Sequence, residues 1–239
     1  MSAGSPAARR NAMAEYKDKL KVLAHGALDP VVNGLAAAGL RPNHMTILGL
    51  LFSLAAAYGF ALGKFQVAAL ITCFAGVCDI LDGQLARRTR GESKFGAFLD
   101  STLDRLAEAA ILVGIAWFYL FNLVDMAIDP QRVFANLQRG LEPVTWAAIA
   151  LLAVLALVGS FMVSYTRARA EGLGLDCKVG WFERPERLVL IIIMGFCGLG
   201  PAIPAGLLVL MSLSFATAFQ RMAHVWRNTR ETGSDSTEA

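Results

Sequence analysis

Apolar residues fall into six blocks along this chain, separated by shorter polar connections. A helix needs about 20 mostly apolar residues to cross the hydrocarbon core of a bilayer. The blocks therefore predict six membrane-spanning helices, numbered spans 1 to 6, at 45–62, 66–85, 95–121, 144–165, 188–199 and 202–223. The fifth block is short unless its helix begins near Pro185.

A different pattern precedes span 1, at residues 13–40. Lys17, Lys19 and Lys21 alternate with apolar residues, and the apolar positions continue through Leu28. This amphipathic pattern is typical of a helix that lies at the membrane surface. The alternative is a soluble helical arm.

Composition supports a membrane protein, because 56% of the residues are apolar and the mean hydropathy is +0.51. Soluble domains have about 45–50% apolar residues. We expect an all-α integral membrane protein with a six-helix transmembrane domain at 41–230, preceded by the interfacial helix at 13–40. The polar ends at 1–12 and 231–239 predict disorder.

The basic residues predict the orientation of the spans. With six spans, both ends lie on one side, and that side receives nearly all Lys and Arg residues; Lys64, Arg132 and Arg139 fall on the other. Short cytoplasmic connections are rich in Lys and Arg. We therefore expect a multi-pass protein of the cell inner (cytoplasmic) membrane with both termini and the active site on the cytoplasmic side.

Four aspartates lie within two consecutive spans, where charged residues are costly and usually mark function. Asp79 and Asp82 are near the end of span 2, and Asp100 and Asp104 near the start of span 3. Each pair is spaced by three or four residues, which places its members on one face of a helix. Because a loop of about eight residues joins the spans, they should be antiparallel neighbours.

Small residues near these aspartates, such as Gly83 and Gly96, would permit a close approach of the two helices. Four carboxylates cannot share such a space without protonation or compensating cations. An all-oxygen cluster suits Mg²⁺, Mn²⁺ or Ca²⁺, and two ions match the charge best. The alternative is a set of helix-end charges that reach the membrane surface.

Residues 79–104 read D-x-x-D-G-x-x-A-R-x8-G-x-x-x-D-x-x-x-D. This pattern resembles the signature of the CDP-alcohol phosphotransferase family at every fixed position. The resemblance extends to the six-span layout and the amphipathic N-terminal arm. It implies an enzyme that uses Mg²⁺ or Mn²⁺, in two sites, to transfer a phosphate-containing group from a CDP-linked lipid to an alcohol. The family commonly forms homodimers.

The resemblance also implies roles for the aspartates. Asp79, Asp82 and Asp100 would hold the metals that bind the donor pyrophosphate. Asp104 would be a partial metal ligand and the general base for the acceptor hydroxyl.

Donor-binding residues follow from the same resemblance. Asp79, through the metals, and Arg87 would hold the donor phosphates, and the small residues Gly83 and Ala86 would leave room for the nucleotide. Asn43 and Thr46 match the polar pair that lines the nucleotide site in the family. The alternative for Asn43 is helix capping without a ligand.

A second basic region, residues 164–188, bears on the acceptor. Its A-R-A-E and E-R-x-E-R runs resemble prokaryotic phosphatidylinositol-phosphate synthases, whose acceptor is inositol 1-phosphate. The resemblance implies that the acceptor phosphate is bound by Arg167, Arg169, Arg187 and Arg227. The alternative for each of these arginines is the ordinary excess of positive charge on the cytoplasmic side.

Three other functions compete with this interpretation, namely a phosphatidylglycerophosphate synthase, another CDP-alcohol phosphotransferase and an ion-coupled transporter. Glycerol 3-phosphate would be drawn to the same charge, which would make the protein a phosphatidylglycerophosphate synthase. An ion-coupled transporter could also use intramembrane carboxylates, but the chain has no inverted repeat. Nucleic acid is not expected as a partner, since no aromatic-basic pattern is present.

Overall fold

The computed structural model describes residues 29–89, 93–128, 131 and 142–235. Within these ranges the chain is helical and contains no β-strand, which confirms the predicted all-α class. Six helices, named α1 to α6 in chain order, run over Pro42–Ala61, Phe65–Thr89, Lys94–Ile128, Pro143–Glu171, Arg184–Phe196 and Ala202–Asp235. Residues 29–37, ahead of α1, are also helical.

Proline marks the start of three helices, with Pro42 in α1, Pro143 in α4 and Pro185 in α5. Proline suits the first helical turn because its fixed φ is already helical and its missing N–H needs no partner there. At α1 the backbone N–H of Arg41 also donates to His44 Nδ1 at 3.3 Å. The helix therefore begins before the apolar block of span 1 and includes the polar residues that precede it.

Five of the helices are long and apolar enough to cross a membrane, namely α1, α2, α3, α4 and the part of α6 up to residue 230. Large apolar side chains such as Leu51, Trp117 and Leu151 are more than half exposed on their outer faces, as expected for contact with lipid. A multi-pass membrane protein is therefore confirmed. The predicted count of six spans is not, because α5 has 13 residues and rises only about 20 Å.

The helices form a closed ring. α1 packs against α2 and α3, α4 against α3 and α6, and α5 against α2 and α6. Fully buried side chains, including Phe60, Ile111 and Leu207, fill the middle. The approach of α1 to α3 depends on Gly114, where a Cβ would lie 2.3 Å from the carbonyl oxygen of Ala57.

The expected close contact between α2 and α3 is not formed. These two helices do not pack closely along their length, whereas α1 packs against both. The small residues Gly83 and Gly96 line a cavity between them. Small side chains thus make space here and do not bring the two backbones together.

The helical segment 29–37 packs on the outside of this region. Val32 is buried in one apolar cluster with Leu85 of α2, and Asp29 accepts a hydrogen bond from Arg88 Nη1 at 3.0 Å. Residues 13–28 of the predicted interfacial helix at 13–40 lie outside the described residues, and residues 38–40 are described but not helical. Its position at the membrane surface stays a prediction.

The predicted disordered ends lie largely outside the described residues as well. Residues 1–12 and 236–239 are not described, and the backbone of α6 is helical up to Asp235. The helix therefore continues past residue 230, where the transmembrane domain was predicted to end.

Candidate active site

Three aspartates from two helices converge at one end of the ring. Asp79 and Asp82 lie one turn apart on α2, and Asp100 lies near the start of α3. One carboxylate oxygen from each lies within 4.8 Å of the other two. The spacing of three residues on α2 places both side chains on one face, so the helix alone accounts for two of the three positions.

This aspartate cluster has the properties of a divalent metal site. Asp82 is 7% exposed, and its Oδ2 atom is buried with no hydrogen-bond partner among the described residues. A buried carboxylate oxygen without a partner is costly, and a bound cation would remove that cost. Oxygen-only donor sets suit Mg²⁺ and Mn²⁺. The side chains present therefore fit the predicted metals.

A cavity of about 220 Å³ opens beside Asp82 and Asp100. We call it the glycine cavity, because Gly83 and Gly96 line it from α2 and α3. Its remaining lining residues are Pro42, Asn43, Thr46, Ala86, Ser93 and Ala97. A Cβ at Gly96 would lie 3.3 Å from Asn43 Oδ1, so a larger residue there would narrow the space. Four of the residues predicted to bind the donor therefore line one cavity.

Arg87, another residue predicted to bind the donor, lies at the edge of the glycine cavity. Its side chain is exposed and lines a separate surface depression with Asp29 and Arg88. Its Nη1 atom is 3.8 Å from the position that a Cβ on Gly83 would occupy. Arg87 therefore reaches toward the glycine cavity without lining it.

Asp104, one turn beyond Asp100, makes a different contact. Its Oδ2 lies 2.8 Å from Arg184 Nη1, and the same Nη1 donates to Asp79 Oδ2. Asp104 is not one of the three aspartates whose oxygens converge. Arg184, at the start of α5, therefore connects Asp104 to the aspartate cluster.

A second cavity, of about 150 Å³, is lined by Asp104 and shares no lining residue with the glycine cavity. Its charged lining consists of Arg105, Arg167, Arg184, Arg187 and Arg221 with Asp104, Glu108 and Glu183. We call it the arginine cavity. Five guanidinium groups and three carboxylates give its lining a formal charge of +2. A cavity with this charge is suited to an anion.

Arg187 was predicted to bind the acceptor phosphate, and the structure gives its charge a partner inside the protein. Its Nε and Nη2 donate to the two carboxylate oxygens of Glu108 at 2.6 and 2.8 Å. The side chains are 2% and 7% exposed. Arg187 therefore lines the arginine cavity with a guanidinium that is already neutralised.

Arg221 secures the wall of the arginine cavity, a role that the sequence analysis did not assign. Its Nε donates to the Val179 carbonyl at 2.7 Å, and its Nη1 to the Val163 carbonyl at 2.6 Å. Its Nη2 donates to Glu183 Oε1 at 3.0 Å. The connection between α4 and α5, residues 172–183, is thereby tied to α6.

The other three predicted phosphate-binding arginines are positioned differently from one another. Arg167 lines the arginine cavity, where its Nε donates to Glu171 at 2.9 Å and its Nη1 lies 3.7 Å from Glu183 Oε1. Its side chain is 39% exposed. Arg169 and Arg227 are exposed and line neither cavity.

The sequence contains signals for two further residues of the site, Glu108 and Arg221. Glu108 follows Asp100 and Asp104 at the same interval of four residues, so it continues their stripe on α3. Arg221 is a charged residue within predicted span 6, which is by itself a reason to expect a function. For Arg184 the sequence shows only a cationic helix start, with no indication of its partners.

Comparison with known proteins is consistent with this site. Residues 40–220 match the family model described as CDP-alcohol phosphatidyltransferase. An archaetidylinositol phosphate synthase from Methanothermobacter thermautotrophicus is 36% identical over 84% of this chain and 89% of its own length. A phosphatidylinositol phosphate synthase from Mycobacterium tuberculosis is 34% identical over 82% of this chain and 84% of its own.

Solved structures of the Mycobacterium tuberculosis phosphatidylinositol phosphate synthase have a similar fold. The structure with CDP-DAG bound has a TM-score of 0.69 and 32% identity, covering 82% of this chain and 92% of that chain. The structure in complex with manganese and citrate has a TM-score of 0.67 and 32% identity, covering 82% of this chain and 88% of that one.

Proposed function

Because this chain belongs to the CDP-alcohol phosphatidyltransferase family, we propose that it transfers a phosphatidyl group from CDP-diacylglycerol, or a related CDP-lipid, to inositol 1-phosphate. The products are a phosphatidylinositol phosphate and CMP. The observation that carries the acceptor assignment is the arginine cavity, which is lined in part by Asp104 and has a lining of formal charge +2. The names of the relatives, and the tuberculosis structure with CDP-DAG bound, support the same reaction.

Asp79, Asp82 and Asp100 would hold two Mg²⁺ or Mn²⁺ ions, with Asp104 as a partial ligand. When bound, the metal supplies positive charge that stabilises the donor pyrophosphate as negative charge builds up in the transition state. The converging carboxylate oxygens and the unpartnered Asp82 Oδ2 support this assignment. The manganese complex of the tuberculosis relative supports it too.

The glycine cavity would hold the cytidine nucleotide. Gly83 and Ala86 present almost no side chain, so the nucleotide can lie against the α2 backbone, while Asn43 and Thr46 offer polar atoms from the start of α1. Arg87 at the edge would contact the donor phosphates. The lipid tail would then lie along the outer, apolar face of the ring.

Asp104 would act as general base, because it lines the arginine cavity and lies one helical turn from Asp100, which lines the glycine cavity. Its Oδ2 is engaged by Arg184, so Oδ1 accepts the proton of the acceptor hydroxyl. The hydroxyl oxygen then forms a bond to the phosphorus that carries the lipid. The bond from that phosphorus to the bridging oxygen breaks, and CMP leaves with the bond's electron pair.

Arg167 and Arg184 would contact the acceptor phosphate, because both line the arginine cavity and are partly exposed. Arg187 would face the acceptor only as part of the wall, since its side chain is 2% exposed and Glu108 accepts from both its Nε and its Nη2. Arg169 and Arg227 lie outside the cavity, and we assign them the weaker role of drawing anions toward its opening.

The protein would cross the membrane as its sequence predicts. α5 would complete a sixth span with the turn that follows it, and residues 13–40 would form an interfacial helix ahead of the transmembrane domain at 41–230. Both termini and the active site would lie on the cytoplasmic side of the inner membrane. The protein would be a homodimer, as is common in the family.

CMP release by the purified protein tests the proposed function. Reactions contain CDP-diacylglycerol, Mn²⁺ or Mg²⁺, and one of inositol 1-phosphate, free inositol, glycerol 3-phosphate or serine. We expect release with inositol 1-phosphate. Release only with glycerol 3-phosphate would refute the acceptor assignment and leave the aspartate chemistry intact. Asp104→Asn, which removes the base, should abolish release with every acceptor.

Arg167→Ala separates phosphate binding from catalysis. We expect the KM for inositol 1-phosphate to rise about tenfold or more and the KM for CDP-diacylglycerol to stay the same, because Arg167 is proposed to bind and not to react. Lys178→Ala is the matched control, since it removes one positive charge from an exposed site on the nearby connection. An unchanged acceptor KM in Arg167→Ala would exclude Arg167 from the phosphate site.

A further inference from the structure

Two ion pairs connect α3 to α5 in matching register. The outer pair joins Asp104 to Arg184 at 2.8 Å, and the inner pair joins Glu108 to Arg187 at 2.6 Å. The two carboxylates are four residues apart on α3 and the two arginines three residues apart on α5. Each member of the inner pair is thus one helical turn beyond its counterpart in the outer pair.

These side chains cross a gap, because the α3 and α5 backbones do not pack closely. α5 packs chiefly against α2 and α6. A small cavity of about 10 Å³ is lined by Glu108 of the inner pair and Arg184 of the outer pair. The two ion pairs therefore bridge this gap between α3 and the first turn of α5.

The pairs differ in exposure. Asp104 and Arg184 are 17% and 23% exposed, so solvent or a ligand can reach them. Glu108 and Arg187 are 7% and 2% exposed. Glu108 accepts a third hydrogen bond, from Ser160 Oγ of α4 at 2.9 Å. The inner pair is enclosed and held from three helices, whereas the outer pair borders the site.

A buried ion pair is a weak source of stability, because desolvation of both charges offsets their attraction. The next positions inward, Ile111 on α3 and Ile191 on α5, are apolar and fully buried. An apolar pair would therefore suit the place of Glu108 and Arg187 for stability alone. An apolar pair would lack the two parallel hydrogen bonds that fix the orientation of the guanidinium relative to the carboxylate.

We infer that Glu108 is a positioning residue for the acceptor side of the reaction. By holding Arg187, it fixes the first turn of α5 and therefore the position of Arg184 beside Asp104 and of Glu183 in the lining of the arginine cavity. This inference rests on the proposed function, since it concerns the site of the phosphorylated acceptor. In this role Glu108 touches neither substrate nor metal and acts through Arg187.

The double variant Glu108→Leu with Arg187→Met tests the inference. It removes both charges and leaves neither one buried alone, so we expect it to fold. The KM for inositol 1-phosphate should rise about tenfold, with the KM for CDP-diacylglycerol within about twofold of wild type. Mn²⁺ binding, followed by electron paramagnetic resonance, and the thermal unfolding midpoint should stay close to wild type. A wild-type acceptor KM in the folded double variant would overturn the inference.

Glu108→Gln provides a second test of the same role, which applies also if the double variant does not fold. The amide retains the size of the side chain and loses its charge, so the same selective rise in the acceptor KM is expected, and its absence would refute the role. Glu186→Gln is the matched control, because it makes the same chemical change on an exposed residue next to Arg187. Absence of wild-type turnover with inositol 1-phosphate would instead refute the proposed function, and the KM comparison would then use whichever acceptor the wild type accepts.

Discussion

Arg221→Met should release the connection between α4 and α5 from the body of the protein. Arg221 is buried, and its Nε bond to the Val179 carbonyl measures 2.7 Å. A hydrogen bond from a charged donor contributes about 1.5–3 kcal/mol. The bond to Glu183 adds little, because that side chain is 45% exposed and its ion pair is screened by solvent. We therefore expect local opening of the connection to become about 2–3 kcal/mol easier.

Trypsin cleavage after Lys178 measures this opening. The Lys178 side chain is 74% exposed, so a protease can reach it, but the adjoining Val179 backbone is held by Arg221. Cleavage therefore requires the connection to open first. A change of 2–3 kcal/mol corresponds to a rate increase of roughly 30- to 150-fold, since 1.4 kcal/mol is tenfold. The fragment that ends at Lys178 is quantified by mass spectrometry from protein in detergent micelles.

Arg227→Met is the matched control, because it removes an arginine from the same helix at an exposed position. Its cleavage rate after Lys178 should equal that of the wild type. A rate for Arg221→Met within about threefold of wild type, less than 1 kcal/mol, would refute the role assigned to Arg221.

Three further changes have defined outcomes. Gly114→Ala should lower the free energy of unfolding by about 3 kcal/mol, and with it the unfolding midpoint, because its Cβ would overlap an α1 carbonyl oxygen. Gly34→Ala should not lower the midpoint, because a Cβ there meets nothing within 4 Å. Asp82→Asn should abolish both CMP release and the rise in unfolding midpoint that Mn²⁺ gives the wild type, because ligand binding to the folded state stabilises it. Gly180→Ala should speed trypsin cleavage after Lys178, since φ there is +119° and a Cβ would lie 2.6 Å from an α6 side chain.

Helical periodicity explains why the aspartate cluster could be predicted from the sequence. Positions three or four residues apart share a face of any helix, so Asp79 with Asp82 and Asp100 with Asp104 were fixed as pairs before their surroundings were known. The all-α class was predictable for a similar reason, because long apolar blocks in lipid must satisfy their backbone hydrogen bonds internally.

Contacts between distant helices could not be predicted in this way. Arg187 was expected to bind phosphate, but its charge is taken by Glu108, which lies 79 residues away in the chain. Nothing local to either residue indicates that α5 lies beside α3 in the ring. The close approach predicted for α2 and α3 was wrong for a related reason, because glycine is equally compatible with a tight helix contact and with a cavity wall.

Asp100, Asp104 and Glu108 occupy three evenly spaced positions along α3. The three residues follow at intervals of four along one helix, so each step advances about 6 Å. The first position belongs to the aspartate cluster, the second to Asp104, the proposed general base, and the third to Glu108, which pairs with Arg187 in the lining of the arginine cavity. In the proposed reaction the acceptor is therefore selected by the distance between its hydroxyl and its phosphate as well as by its charge. Its hydroxyl has to reach Asp104 while its phosphate contacts the arginines. Alcohols that carry the phosphate too near or too far lose one of these contacts, and no single side-chain substitution changes the spacing, because it is set by the rise of the backbone.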